Sequence, residues 1–302
     1  MPGSVAAVRI VSLLPSTTEI LFALGAGEQV VGVTFECDTP VEARQRRVVS
    51  TSAMPDGLTA AEIDAFVARA VAAGEDLYRL DAGALADLDP DLVVTQDLCA
   101  VCAVDVDTVG EALDHLGCRA DVATIDPHTL AEVLASVLEL GRRTGREAAA
   151  QQLVAGLRAR LDAVASAATS GAAGRPAPRV LLLEWTDPPY APGHWLPEMV
   201  TLAGGVPALG AAGARSGRVT WDDVRDAAPD VLVCAPCGYG LTGSAELARA
   251  ALPHLPDVPV WAVDAGAAYT RPGPRLVDGV ETLAAILGDP AADSALFALR
   301  VA

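Results

Sequence analysis

The chain is poor in aromatic rings: four Trp, four Tyr and four Phe make up 4% of its 302 residues. Aliphatic side chains must therefore do the ordinary core filling, and rings that gather in one place call for a reason beyond packing. Positive charge is also scarce. Lys and Arg number 21 against 39 Asp and Glu, a formal net charge of −18. Nucleic acid and anionic lipid surfaces would be repelled, so neither is an expected partner. No apolar run approaches the ~20 residues that span a bilayer, and no membrane insertion is expected. Met1 to Leu14 holds a single Arg and a short apolar stretch, without a basic leader, a long apolar core or a small-residue cleavage site. These absences predict a cytoplasmic protein. Thiols stay reduced there, so the six Cys are core residues, metal ligands or catalytic groups rather than a disulfide framework.

What is present is enough for two packed lobes, since 52% of the residues are hydrophobic. Val8 to Leu14 reads as a first strand ended by Pro15, and Ser16 with Glu19 predicts a capping box for a helix to Leu24. Val30–Thr34, Tyr78–Leu80, Leu92–Thr95 and Ala120–Ile125 read as further strands, with a helix over 60–73. Residues 129–170 show only helical periodicity, broken near Gly145, and predict a rigid helical connector. The βα rhythm then resumes with Arg179–Leu183, Val231–Cys234 and Val258–Val263, and a last helix begins at Leu276. The expected fold is α/β: two parallel-sheet lobes, 1–128 and 171–302, joined by long helices over 129–170.

Four thiols fall on loops just after strands, where open α/β sheets build their sites. They are Cys37, the Cys99/Cys102 pair and Cys237. Such thiolates suit Zn or an iron–sulfur cluster, and a close pair also suits redox chemistry. Cys118 and Cys234 lie in or beside apolar strands and read as core. Residues 184–195 carry Trp185, Tyr190, His194 and Trp195, a density of rings that points to a flat, largely apolar ligand. Tyr239 joins them from the turn after Cys237. Arg271 and Arg275, with Tyr269, sit on a post-strand turn and suit an anionic group on that ligand. Glu36, Asp97 and His194 are the candidates for proton transfer, and Glu198 lies where a helix dipole favours a carboxylate.

The stretch Val11-Ser12-Leu13-Leu14-Pro15-Ser16-Thr17-Thr18-Glu19-Ile20, followed by Leu24-Gly25-Ala26 and Val31-Gly32-Val33-Thr34, resembles the opening of the helical-backbone metal-receptor family. These are the binding proteins for cobalamin, siderophores and haem in ABC import. The similarity extends to Arg271-Pro-Gly-Pro-Arg275-Leu before the last helix. It implies a ligand cleft between the lobes, with Trp185, Tyr190, Trp195 and Tyr239 as candidates to line it. Exported receptors carry a leader, so the absence noted above argues against a transporter partner. Two readings follow. In one, a cytosolic binding protein holds a corrinoid or another metal chelate. In the other, Cys37, Cys99 and Cys102, with or without Cys237, hold Zn or an iron–sulfur cluster that acts on a small molecule. A dithiol redox protein is a weaker third.

Overall fold

The computed structural model describes residues 8–96, 120–171 and 176–302. The chain divides into two compact units, Met1–Asp126 with Ala135–Leu153, and Pro127–Leu134 with Val154–Ala302.

The first unit is built on β1 (Ile10–Ser12), β2 (Val30–Val33), β3 (Arg47–Val48), β4 (Ser50–Ser52), β5 (Tyr78–Leu80), β6 (Leu92–Thr95) and β7 (Asp121–Thr124). Five of these form a sheet in the order β3-β2-β1-β6-β7, and every pairing is parallel. Every residue of β1 and β6 is buried, as expected of parallel strands covered on both faces. β4 and β5 pair separately as an antiparallel ladder. The helices are α1 (Pro15–Ala23), α2 (Ala60–Ala73) and α3 (Ala82–Leu88). Val11, Leu13, Val49, Leu85 and Val93 close the core beneath them with no exposed surface. α2 starts with a capping box in which Thr59 and Glu62 satisfy each other's backbone N–H groups, and it stops at Gly74 in the left-handed region. The box predicted for Ser16 and Glu19 does not form. Pro15 occupies the first helical position, which moves the cap to Leu14 and carries Ser16 inside the helix.

Two helices are shared between the units, α4 (Leu130–Arg143) and α5 (Glu147–Gly171). Gly145, at φ 69°, makes the break that separates them. In the first unit Arg143 joins Glu139 to Asp121.

The second unit continues with β8 (Arg179–Leu183), β9 (Trp185–Thr186), β10 (Pro189–Ala191), β11 (Val206–Pro207), β12 (Gly217–Arg218), β13 (Val231–Cys234), β14 (Val260–Val263), β15 (Ser294–Ala295) and β16 (Ala298–Arg300). Its helices are α6 (Leu196–Leu202), α7 (Trp221–Asp226), α8 (Leu241–Ala251), α9 (Ala265–Ala268) and α10 (Leu276–Gly288). The main sheet runs β11-β8-β13-β14-β16-β15, parallel as far as β14 and antiparallel beyond it. The parallel part follows the predicted rhythm; β15, β16 and α8 were not foreseen. Arg160 of α5 grips Asp278 and Glu281 of α10. Cys234 is fully buried in β13, and burial pushes its thiol up to about 12, so it is a core hydrophobe. Among the described residues no helix is long and apolar enough to cross a membrane.

Candidate functional site

The carboxyl end of β8 turns into a small antiparallel sheet where a ring-rich loop had been expected. β9 and β10 form a hairpin, and β12 pairs with the other edge of β10. The register sets Tyr190 opposite Trp185 on one side and opposite Arg218 on the other. Residues directly opposite one another project from the same face, so a guanidinium, a phenol and an indole stand in a row. Tyr239, from the turn after β13, adds a fourth member with its ring 5.6 Å from Trp185 at 60°. The indole Nε1 of Trp185 donates to the Asp187 carbonyl at 3.0 Å, which fixes the ring. The three rings are partly buried and Arg218 is exposed.

Glu184 anchors this sheet from below. Its carboxylate accepts the Gly193 N–H at 3.0 Å and a hydrogen bond from the Ser216 side chain, while burial pushes its pKa up. A Cβ at Gly193 would run into the Ser216 backbone nitrogen, so only glycine lets these two stretches approach.

Other predicted residues are placed differently. Trp195 and Tyr269 belong to the core, 5% and 0% exposed. The Trp195 Nε1 donates to the Tyr269 carbonyl at 2.7 Å, and the Tyr269 hydroxyl donates to the Gly279 carbonyl at 3.2 Å. Both rings lock the junction of α6 with α10 and show no face to a ligand. Arg271 and Arg275 are half-buried and engaged, Arg275 directly before α10. Glu198 accepts the Leu130 N–H at 2.7 Å, tying the start of α4 to α6. His194 is half-buried at φ 50°, its ring 5.6 Å from that of His128 and 5.6 Å from that of Trp195. Burial, then the charges of His128 and Arg215, hold its pKa below the ordinary value. Cys237 is exposed, with its N–H bonded to the Glu184 carbonyl.

In the first unit Cys37 is not on an open loop. Its N–H closes a turn on the Thr34 carbonyl, which folds the thiol inward to 3% exposure and 3.0 Å from the Thr18 hydroxyl. Ser12 and Thr17 complete that buried hydroxyl cluster. Glu36 accepts the Tyr78 hydroxyl at 2.8 Å, and the Tyr78 ring lies 5.7 Å from Phe35, which is 42% exposed. Asp97, Cys99, Cys102 and Cys118 lie outside the described residues. Among the described residues no three His, Cys, Asp or Glu side chains converge as metal ligands. The iron–sulfur or zinc centre expected of Cys37, Cys99 and Cys102, with or without Cys237, finds no support: the relatives are named for other cofactors, and the Cys37 thiol is buried against the Thr18 hydroxyl.

A model of the periplasmic binding proteins matches residues 10–262. The chain belongs to the periplasmic binding protein family. It is 27% identical over 289 residues to an uncharacterized ABC transporter substrate-binding lipoprotein, YvrC, of Bacillus subtilis (strain 168), covering 91% of this chain and 78% of that one. Among solved structures, the periplasmic vitamin B12 binding protein BtuF of Vibrio cholerae superposes with a TM-score of 0.66 at 22% identity, over 93% of this chain and 97% of its own. The periplasmic heme-binding protein BhuT, in complex with two hemes, gives 0.67 at 22% identity, over 94% and 99%. At these identities the structures establish a shared fold. They bear out the helical-backbone metal-receptor resemblance and the α/β architecture. The expected cytoplasmic location is overturned, since the family is periplasmic and the Bacillus relative is a lipoprotein.

Proposed function

We propose that this periplasmic binding protein is the receptor of an ABC importer and that its ligand is a metal chelate with a broad flat face, a haem or a corrinoid. The observation that carries this reading is the row formed by Trp185, Tyr190 and Arg218 with Tyr239 against the indole, in a chain that spends few rings anywhere. Aromatic faces pack against a conjugated macrocycle with little loss of side-chain freedom. A guanidinium at the end of the row suits the propionates of a haem through paired N–H donors, or the amide carbonyls and phosphate of a corrinoid. Relatives named for vitamin B12 and heme support the choice of chelate, and the lipoprotein relative supports the transporter.

The test is titration of the purified protein with hemin, cyanocobalamin and a ferric siderophore, followed by absorption and by quenching of tryptophan emission. Hemin or cyanocobalamin binds saturably, and Trp185→Ala and Arg218→Glu each weaken it at least roughly tenfold, a loss of about 1.4 kcal/mol or more. Failure of both to bind, saturable binding of the siderophore alone, or wild-type affinity in Trp185→Ala, would overturn the proposal.

A further inference from the structure

The chain has four His, and the fold brings two of them together from distant places. His128 stands just before α4 and His194 just before α6, with ring centres 5.6 Å apart and planes tilted by 39°. An ion bound to imidazole nitrogen at about 2.1 Å sits about 3.2 Å from the ring centre, so two imidazoles sharing one ion have centres about 5.2–5.5 Å apart at tetrahedral to trigonal angles, within about 0.1 Å of the separation here, and about 4.5 Å apart at right angles. We infer that His128 and His194 bind one divalent transition-metal ion of the tetrahedral zinc or cobalt class. This does not rest on the proposal for the chelate.

The backbone beneath both rings is fixed. His194 donates its N–H to the Ala214 carbonyl at 2.6 Å and accepts from Gly213 at 2.9 Å, which holds it in the left-handed region. Asn, Asp and His are the side chains that enter that region most readily, so the position is held without a glycine. The His128 N–H is held by Glu132 at 2.6 Å, and the start of α4 is tied to α6 by Glu198. Two donors on fixed backbone lose little freedom when they bind an ion. Glu132 places negative charge beside His128, whereas Arg215 opposes a cation at His194 and keeps the affinity modest. Among the described residues no third His, Cys, Asp or Glu joins the pair, so water completes the coordination. Imidazole donors with open positions suit the borderline metals rather than magnesium or calcium.

The experiment titrates the full chain with cobalt(II) chloride, a spectroscopic stand-in for zinc, by calorimetry and absorption at about pH 7.5. One cobalt ion binds per chain without a sulfur-to-cobalt charge-transfer band. Binding falls at least roughly tenfold in His128→Gln and in His194→Asn, and it weakens toward about pH 5.5 as imidazole protonates. His254→Gln, at an exposed histidine, leaves it unchanged. Asn tolerates the left-handed backbone, so His194→Asn carries the test should His128→Gln fail to fold. Absence of binding by the wild type, equal binding by both histidine variants, or a charge-transfer band that vanishes in Cys237→Ser would overturn the inference.

Discussion

Replacing Trp195 by Phe separates a core indole from a ligand-lining one. The change deletes the Nε1–H that donates to the Tyr269 carbonyl at 2.7 Å in a site where Trp195 is 5% and Tyr269 0% exposed. Leaving that carbonyl buried without its donor costs about 1–3 kcal/mol, and the smaller ring leaves a void worth about 1 kcal/mol more. The expected loss is therefore about 2–4 kcal/mol of stability. With a urea slope of about 2–3 kcal/mol/M, the unfolding midpoint falls by about 1 M. If the two units unfold in separate steps, the shift belongs to the step that releases α6 and α10. Circular dichroism in urea measures it, and a parallel ligand titration gives the contrast. Trp195→Phe keeps wild-type affinity once folded, whereas Trp185→Ala loses affinity and changes stability by less than about 1 kcal/mol. A wild-type midpoint for Trp195→Phe, or loss of ligand without loss of stability, would refute the assignment of this ring to the core.

Three further outcomes are expected. Glu184 titrates higher in the fold than in the unfolded chain, so the folded state holds that proton more firmly, and stability declines as pH rises from about 4.5 through the raised value. Glu184→Gln stays neutral and lacks this decline; a stability difference from wild type that is flat with pH, in thermal melts, contradicts it. Arg160→Ala breaks the grip on Asp278 and Glu281 and lowers the stability of the second unit by about 1 kcal/mol, less at high salt because the groups are partly exposed. An unchanged urea midpoint at low salt would show that the bridge contributes nothing. In native protein Cys237 reacts quickly with a thiol reagent, so Cys237→Ser removes one fast equivalent while Cys37→Ser and Cys234→Ser remove none. Fast loss at Cys37 would place its thiol outside the core.

Local pattern was sufficient for the parallel strands. Arg179–Leu183 and Val231–Cys234 are continuous apolar runs because such strands are covered on both faces, and each appears within its expected bounds. The capping residues of α2 and the break at Gly145 are likewise local chemistry. The family was readable as well, since the opening motif from Val11 and the turn before α10 belong to one continuous stretch each.

Placement of the site residues was another matter. Trp185, Tyr190 and Trp195 look alike along the chain, yet strand register sends the first two to an exposed face, and the packing of α6 on α10 buries the third. Arg218 enters the row only through its pairing with Tyr190, and His128 meets His194 only because the start of α4 packs beside the loop before α6. Cys37 follows a strand as a ligand would, but a turn onto Thr34 points it inward. Periodicity and composition report what a residue does to its immediate neighbours and so determine elements and family. Which side chains share a face depends on register and on contacts between segments far apart in the chain, and only the tertiary structure supplies those.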